Sequence, residues 1–348
     1  RPVICLVVLN SFYLSFVSSG QVFMQFQWDI LLLEVGFLAM FLRASPNLVS
    51  WLFRWLLFRF MFQSGLVKLL SGDQSWRDLT ALQYHFESQP LPTLLAWYAH
   101  QLPDILLKCG VAATLMIELL VPFLLILPRR LRLWGGVAVV LFEVVILLTG
   151  SYNFFNLLTI VLCLMLLDDQ TLDGWFRRGP QQAPAAPAKP VYFVVASALV
   201  YLFLSTSLLV ATGNWGRLPQ SIQFVLAAAA PFHVANGYGL FAVMTRGRPE
   251  LVIQGSSDGE NWLAYDLPYK PGRLSEGPRL ATPHQPRLDW QLWFAALGTS
   301  ERNPWLYRLT EGLLSGAEPI ENLFSSNPFP QTPPKHVRIS LYEYRFST

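Results

Sequence analysis

The chain has 348 residues, of which 53% are hydrophobic and 14% charged, with a formal net charge of +3. A chain of this length so poor in charge is excluded as an ordinary soluble globule and fits a polytopic membrane protein. No basic patch interleaved with aromatic residues occurs, so no nucleic-acid partner is expected.

Seven apolar segments approach or reach the ~17–25 residues that cross a bilayer as helix. They are Val3 to Ser19, Val22 to Leu42, Leu48 to Leu70, Ile105 to Leu127, Leu133 to Thr149, Phe154 to Leu167 and Val191 to Val210, those at 133 and 154 being the shortest. Arg1 opens directly on the first, with no initiator Met and no small-residue cleavage site after it, so the chain is expected to be a fragment missing earlier spans. Residues 71–103 are polar and aromatic, and longer than a connector between helices needs to be. Within this loop, Ser75-Trp76-Arg77-Asp78 fits a capping box with Ser75 as the cap. Residues 168–190 form a Pro/Ala-rich linker that holds no core.

Basic residues set an orientation. With the N-terminus in the cytoplasm and the segments alternating, Arg1, Arg43, Arg129, Arg130, Arg132, Arg177, Arg178 and Lys189 all fall on the cytoplasmic side. The opposite loops carry little beyond Arg77 and Arg217, so the 71–103 loop and everything after about residue 213 share the extracytoplasmic side. The stretch from Ile222 to Met244 is broken by Pro231, His233, Asn236, Gly237 and Gly239; its polar centre favours a membrane-surface or interdomain segment, with an eighth span as the alternative. Beyond it, Leu251 to Gln254 and Trp262 to Leu267 read as strands of a hairpin, Pro304 to Leu314 as a helix, and Val337 to Phe346 as a strand.

The fold expected is therefore a multi-pass α-helical membrane domain (1–213), a juxtamembrane segment (214–248) and a β-rich, β-sandwich-like extracytoplasmic domain (249–348). Glu34, Arg59, Glu118 and Glu143 sit near the middle of their segments, where an isolated charge is costly, so a cluster joining Arg59 to one or more of the glutamates is expected. Cys5, Cys109 and Cys163 form no Cys-x-x-Cys pair and read as buried packing residues. His85, His100, His233 and His284 lack metal-ligand spacing and no nucleophile motif occurs, so neither metal nor cofactor is expected.

A set of motifs runs through the chain in a characteristic order. It begins with Ser64-Gly65-Leu66-Val67-Lys68-Leu69, Ser71-Gly72-Asp73, Trp76, Leu79-Thr80-Ala81-Leu82, His85 and Gln89-Pro90-Leu91-Pro92. It continues through the run from Pro231 to Phe241, Gly255-Ser256-Ser257-Asp258-Gly259 and the run from Pro283 to Gly298, and closes with Asn327-Pro328-Phe329 and Tyr342-Glu343-Tyr344-Arg345-Phe346. This order resembles the lipase maturation factor family over nearly the whole chain, departing only at the start, where the family's first spans are absent. The resemblance implies a multi-pass protein, in animals of the endoplasmic reticulum membrane, whose lumenal parts help secreted lipases reach active form. The Ala/Pro-rich linker and compact length read as bacterial, which would put the protein in an inner membrane with a periplasmic domain.

A second resemblance is narrower. Gly65-Leu66-Val67-Lys68-Leu69 followed by Trp76 is similar to the membrane domain of the vitamin K-dependent γ-carboxylase, in which the matching Lys is a base. It implies an enzyme using Lys68, against the alternative of an interfacial Lys snorkelling from a helix end. The function expected is a maturation or folding factor for exported proteins, with lipases as clients by resemblance and membrane lipids as surroundings. Client-binding candidates are Trp76, His85, Trp97, His284, Arg287, Asp289, Trp290 and Trp293, with Phe86 adding apolar surface. Trp290 and Trp293 have the competing reading of domain core.

Overall fold

The computed structural model describes residues 2–168, 171–172, 191–272 and 276–346. Arg1 and most of the Pro/Ala-rich linker, including Arg177, Arg178 and Lys189, lie outside the described residues. In chain order the helices begin with α1 (Pro2–Gly20), α2 (Gln27–Ala39), α3 (Pro46–Leu70), α4 (Gln74–Arg77), α5 (Ala81–Ser88) and α6 (Leu94–His100). Then follow α7 (Asp104–Leu119), α8 (Val121–Leu125), α9 (Arg129–Thr149), α10 (Phe155–Cys163), α11 (Val191–Val210) and α12 (Gln220–Ala229). The remainder holds β1 (Arg248–Ser256), β2 (Leu263–Ala264), α13 (Arg287–Ala296), α14 (Trp305–Leu314), α15 (Glu318–Glu321) and β3 (His336–Tyr344).

The chain forms two compact units. The first takes residues 1–80, 108–145 and 155–244, the second 81–107, 146–154 and 245–348. These boundaries differ from those expected, because most of the 71–103 loop is built into the unit that holds the C-terminal residues.

In the first unit α3 is the central element. Phe58 and Phe62 meet Phe123 edge to face at 5.2 and 5.5 Å, Phe60 meets Phe155 at 5.3 Å, and the Trp55 indole donates to Ser205 Oγ at 3.0 Å. Gly65 lets α3 approach α7: a Cβ there would lie 2.8 Å from Leu119 Cγ and 2.9 Å from Glu118 Cβ. Among the described residues four apolar helical stretches are long enough to cross a membrane: Pro2–Phe23, Asp104–Leu125, Arg129–Thr149 and Tyr192–Val210. They turn apolar side chains outward, among them Phe12, Phe16, Leu141, Val145, Leu199 and Val200, as lipid-facing helices do. The 25-residue α3 is also long enough but carries Arg54, Arg59 and Lys68, and Arg59 and Lys68 are buried inside the unit.

Two of the seven expected spans are shorter helices. Of Val22 to Leu42 only the 13 residues of α2 are α-helical, and Phe154 to Leu167 gives nine residues of α10 extended by one 3-10 turn. Helix α12, with ten residues, rises only ~15 Å and does not span. At the α3 N-terminal end, Arg132 donates to Leu166 O and Asp168, Arg129 pairs with Asp168, and Arg54 Nε reaches Met165 O. Of the three cysteines only Cys163 is buried; Cys5 and Cys109 lie on the outward faces of α1 and α7, where a small apolar side chain meets lipid as readily as protein. The expectation of three buried thiols is corrected for those two.

The second unit is built on one antiparallel sheet of order β2-β1-β3, with β1 paired to β3 from Arg248↔Tyr344 to Ser256↔His336. The hairpin between β1 and β2 is as read, pairing Gln254↔Ala264 and Gly255↔Leu263. Its turn is closed by Asp258, which accepts from Ser256 Oγ, the backbone N–H groups of Glu260 and Asn261, and Asn261 Nδ2. These bonds, those from Asn261 foremost, hold the Asp258 carboxyl well below the usual range. Among the described residues this sheet has three strands, and no second sheet faces it to make the expected sandwich. Helix α13 packs on β1 instead, and α14 on β3.

Candidate functional site

The cap of the loop helix α4 is Asp73, not Ser75. Asp73 Oδ1 accepts from Ser75 N at 2.9 Å and Oδ2 from Met244 N at 2.5 Å, so it ties the loop start to the segment before β1. One turn earlier, Lys68 is buried: its Nζ donates to Glu118 Oε1 at 2.8 Å and Ser64 O at 3.0 Å, and lies 5.2 Å from the Trp76 ring centroid. A Lys snorkelling from a helix end does not describe this arrangement. The Lys68 side chain lies between a carboxylate, a carbonyl and an indole face and joins α3 to α7. Trp76 is itself buried and donates through its indole to Phe241 O at 3.0 Å.

The other mid-segment charges resolve into separate groups. Glu34, fully buried, pairs with Arg59 and accepts from Tyr201 Oη at 2.8 Å, Tyr238 Oη at 2.7 Å, and Asn236 N and Nδ2, both at 2.9 Å. Arg59 also donates to Gln63 Oε1 and Asn236 O, and Gln63 Nε2 continues to Thr212 Oγ1 at 2.9 Å. The Arg59 cluster therefore joins one of the three glutamates, and it recruits the Pro231 to Phe241 motif as its second side. Glu143 takes Asn156 Nδ2 at 2.7 Å.

In the second unit the candidates divide by burial. Asp289, Trp290 and Trp293 are interior residues of α13. Asp289 Oδ1 accepts from Tyr269 N at 2.9 Å and Lys270 N at 2.7 Å; burial raises its carboxyl above the ordinary range while those two N–H donors oppose the rise. Trp290 packs edge-on against Tyr152 at 5.8 Å, and the Trp293 indole donates to Ser88 O at 2.9 Å. Trp76 and Phe86 are buried as well. His85 is partly buried against Tyr152 Oη at 3.3 Å, Trp97 and Arg287 are partly exposed, and His284 is exposed beside the Tyr269 ring.

The sequence reading missed Arg248, a fully buried cation of the second unit. Its Nε donates to Glu250 at 2.7 Å, Nη1 to Glu87 O at 2.7 Å and to Gln89 O, and Nη2 to Pro90 O at 2.8 Å; Lys270 pairs with Glu250. The signal was available: Arg248 and Glu250, two apart in a strand, share one face. Among the described residues no three His, Cys, Asp or Glu side chains group to hold a metal.

Residues 1–174 match the lipase maturation factor transmembrane domain, and residues 234–348 match the lipase maturation factor C-terminal domain. The chain belongs to the lipase maturation factor family. It is 36% identical to Lipase maturation factor 2 of Gallus gallus and 37% to that of Homo sapiens, each over 100% of this chain, and 36% to Lipase maturation factor 1 of Bos taurus over 96%. The chain spans about two thirds of these relatives' length, 65% and 66% of the two factor 2 proteins. No solved structure matches it. These relatives are vertebrate proteins and give the bacterial reading of the linker no support. Both lipase maturation factor regions contain the polar groups described above: Lys68, Glu118 and Arg59 fall in the first, Asn236, Tyr238 and Arg248 in the second.

Proposed function

We propose that this chain is a membrane-bound maturation factor for exported lipases, acting in the endoplasmic reticulum membrane with the second unit on the lumenal side. The observation that carries the reading is the match to both lipase maturation factor regions, with identity to named lipase maturation factors extending over the whole chain. The geometry adds a reason to place client contact in the second unit: residues 81–107 and 245–348 form one body there, on which Trp97, His284 and Arg287 are accessible. The γ-carboxylase-like enzyme is not favoured, because Lys68 is committed as a donor to Glu118 and Ser64.

The test is secretion of active lipase by cells lacking their own factor and expressing this chain. Truncation after residue 246 is expected to abolish rescue. Trp97→Ala and Arg287→Ala are expected to lower client capture at unchanged abundance. Trp290→Ala and Trp293→Ala are expected to lower abundance itself, since emptying a buried Trp site costs about 3–5 kcal/mol. Lys68→Arg, scored per folded molecule, should retain rescue, because Arg keeps the ion pair but accepts no proton. A folded, abundant and inactive Lys68→Arg protein would turn the assignment toward the enzyme.

The proposed threading keeps the N-terminal end of α3 and the Arg129 to Arg132 run cytoplasmic. Single cysteines at positions 181 and 260, in a chain freed of its own thiols, should label from opposite sides, with 181 cytoplasmic. Labelling of both from one side removes the threading.

A further inference from the structure

In the first unit a cleft of about 540 Å³ lies between α11 and α12, walled by Leu204, Leu208, Leu226, Ala229 and Ile30 and rimmed by Gln25, His233 and Asn236. We propose that it holds one acyl chain of a bilayer phospholipid, a ligand recognised by its tail. The volume falls in the ~300–1,000 Å³ range of small-ligand clefts.

Three observations select a lipid tail. One wall is the apolar helix α11 itself, so the cleft sits where hydrocarbon surrounds the protein. Between Arg217 and Arg246 the sequence holds no Asp, Glu, Lys or Arg. The surface beside the cleft leaves Phe224 75% and Phe232 60% exposed, with Val225 and Trp215 also outward, while the opposite face of α12 is fixed by Leu226 in a core with Leu204, Ala211 and Leu218. Apolar side chains presented this way, on a segment too short to span, suit the boundary between headgroups and tails, where Trp is at home.

The rim argues against a free fatty acid. Its carboxylate would need a cation or several donors, and among the described residues no Lys or Arg lines the cleft. Of the two polar groups from the Pro231 to Phe241 motif, Asn236 already serves Glu34 and His233 Nδ1 faces Asn236 Oδ1 at 3.0 Å.

The inference rests on the membrane reading, and photolabelling separates the two. Full-length protein is equilibrated in membranes containing phosphatidylcholine with a diazirine in its acyl chain, extracted in detergent to strip loosely held lipid, irradiated and mapped by peptide mass spectrometry. Adducts on the cleft walls, around Leu204, Leu208 and Ala230, are expected to survive extraction. Ala227 and Ala230 line the cleft yet are exposed, so Ala227→Trp and Ala230→Trp fill it without entering the core, and both should lose the cleft adducts. In samples irradiated before extraction, adducts near Leu141 and Val145 on the outer face of α9 should persist in every variant, which also reports a folded, inserted protein. Adducts on α9 without any in the cleft, cleft labelling indifferent to both Trp variants, or cleft labelling by a diazirine fatty acid but not by phosphatidylcholine would each overturn the proposal. No adduct at any position would overturn the membrane reading with it.

Discussion

Arg59→Met is expected to be the most damaging single change in the helical unit. It leaves the Glu34 carboxylate in a fully buried position with four neutral donors and no counter-charge. Breaking a buried pair from one side costs about 3–5 kcal/mol, much of it the penalty for the charge left behind. Loss on that scale should reduce steady-state abundance severalfold and lower the unfolding temperature of detergent-solubilised protein. Glu34→Gln placed on top of Arg59→Met removes the stranded charge and should recover part of the loss, the non-additivity that marks direct coupling. Wild-type abundance and melting in Arg59→Met would show that the pair contributes nothing.

Arg248→Lys should be nearly as harmful in the second unit, although the charge is kept. The guanidinium reaches Glu250 and three backbone carbonyls at once, from Glu87, Gln89 and Pro90, in one planar fork. An ammonium on a flexible stem cannot occupy those positions together, so buried carbonyls lose their donors at about 1–3 kcal/mol each. Hydrogen exchange should accelerate over residues 85–92 in Arg248→Lys while β1 and β3 retain most of their protection. Unchanged exchange in that segment would show that the carbonyls find other partners.

How much of this was legible in the sequence depends on what each residue's partner is. The long apolar helices, the Asp258 hairpin turn, the helix ending at Leu314 and a closing strand announce themselves through local pattern and are present, while Val22 to Leu42 and Phe154 to Leu167 give shorter helices than their apolar lengths suggest. Helix α13 did not announce itself, because Leu288 to Trp293 is buried on almost every side and shows no polar face from which a helical period could be read. Arg59 was recognisable as a charge needing a partner, yet three glutamates were equally available. The choice of Glu34 depends on Tyr201, Tyr238 and Asn236, between 167 and 204 residues away along the chain. For Trp290 and Trp293 of the Pro283 to Gly298 run the sequence left anchor and core both open, since binding anchors and core residues draw on the same side chains. Burial places Trp290 and Trp293 in the interior and leaves Trp97 and Arg287 partly exposed.

The grip of Arg248 on the Gln89 carbonyl joins residues 159 apart in the chain, and the intervening sequence includes apolar helices destined for lipid. At synthesis rates of about 5–20 residues per second, the segment around Gln89 emerges on the order of 10–30 s before its anchor exists. During that interval the Glu87, Gln89 and Pro90 carbonyls have no guanidinium to satisfy them, so the segment passes through a dependent stage. The protein's yield should respond to the pace of translation and to the supply of general chaperones more than its final stability would suggest.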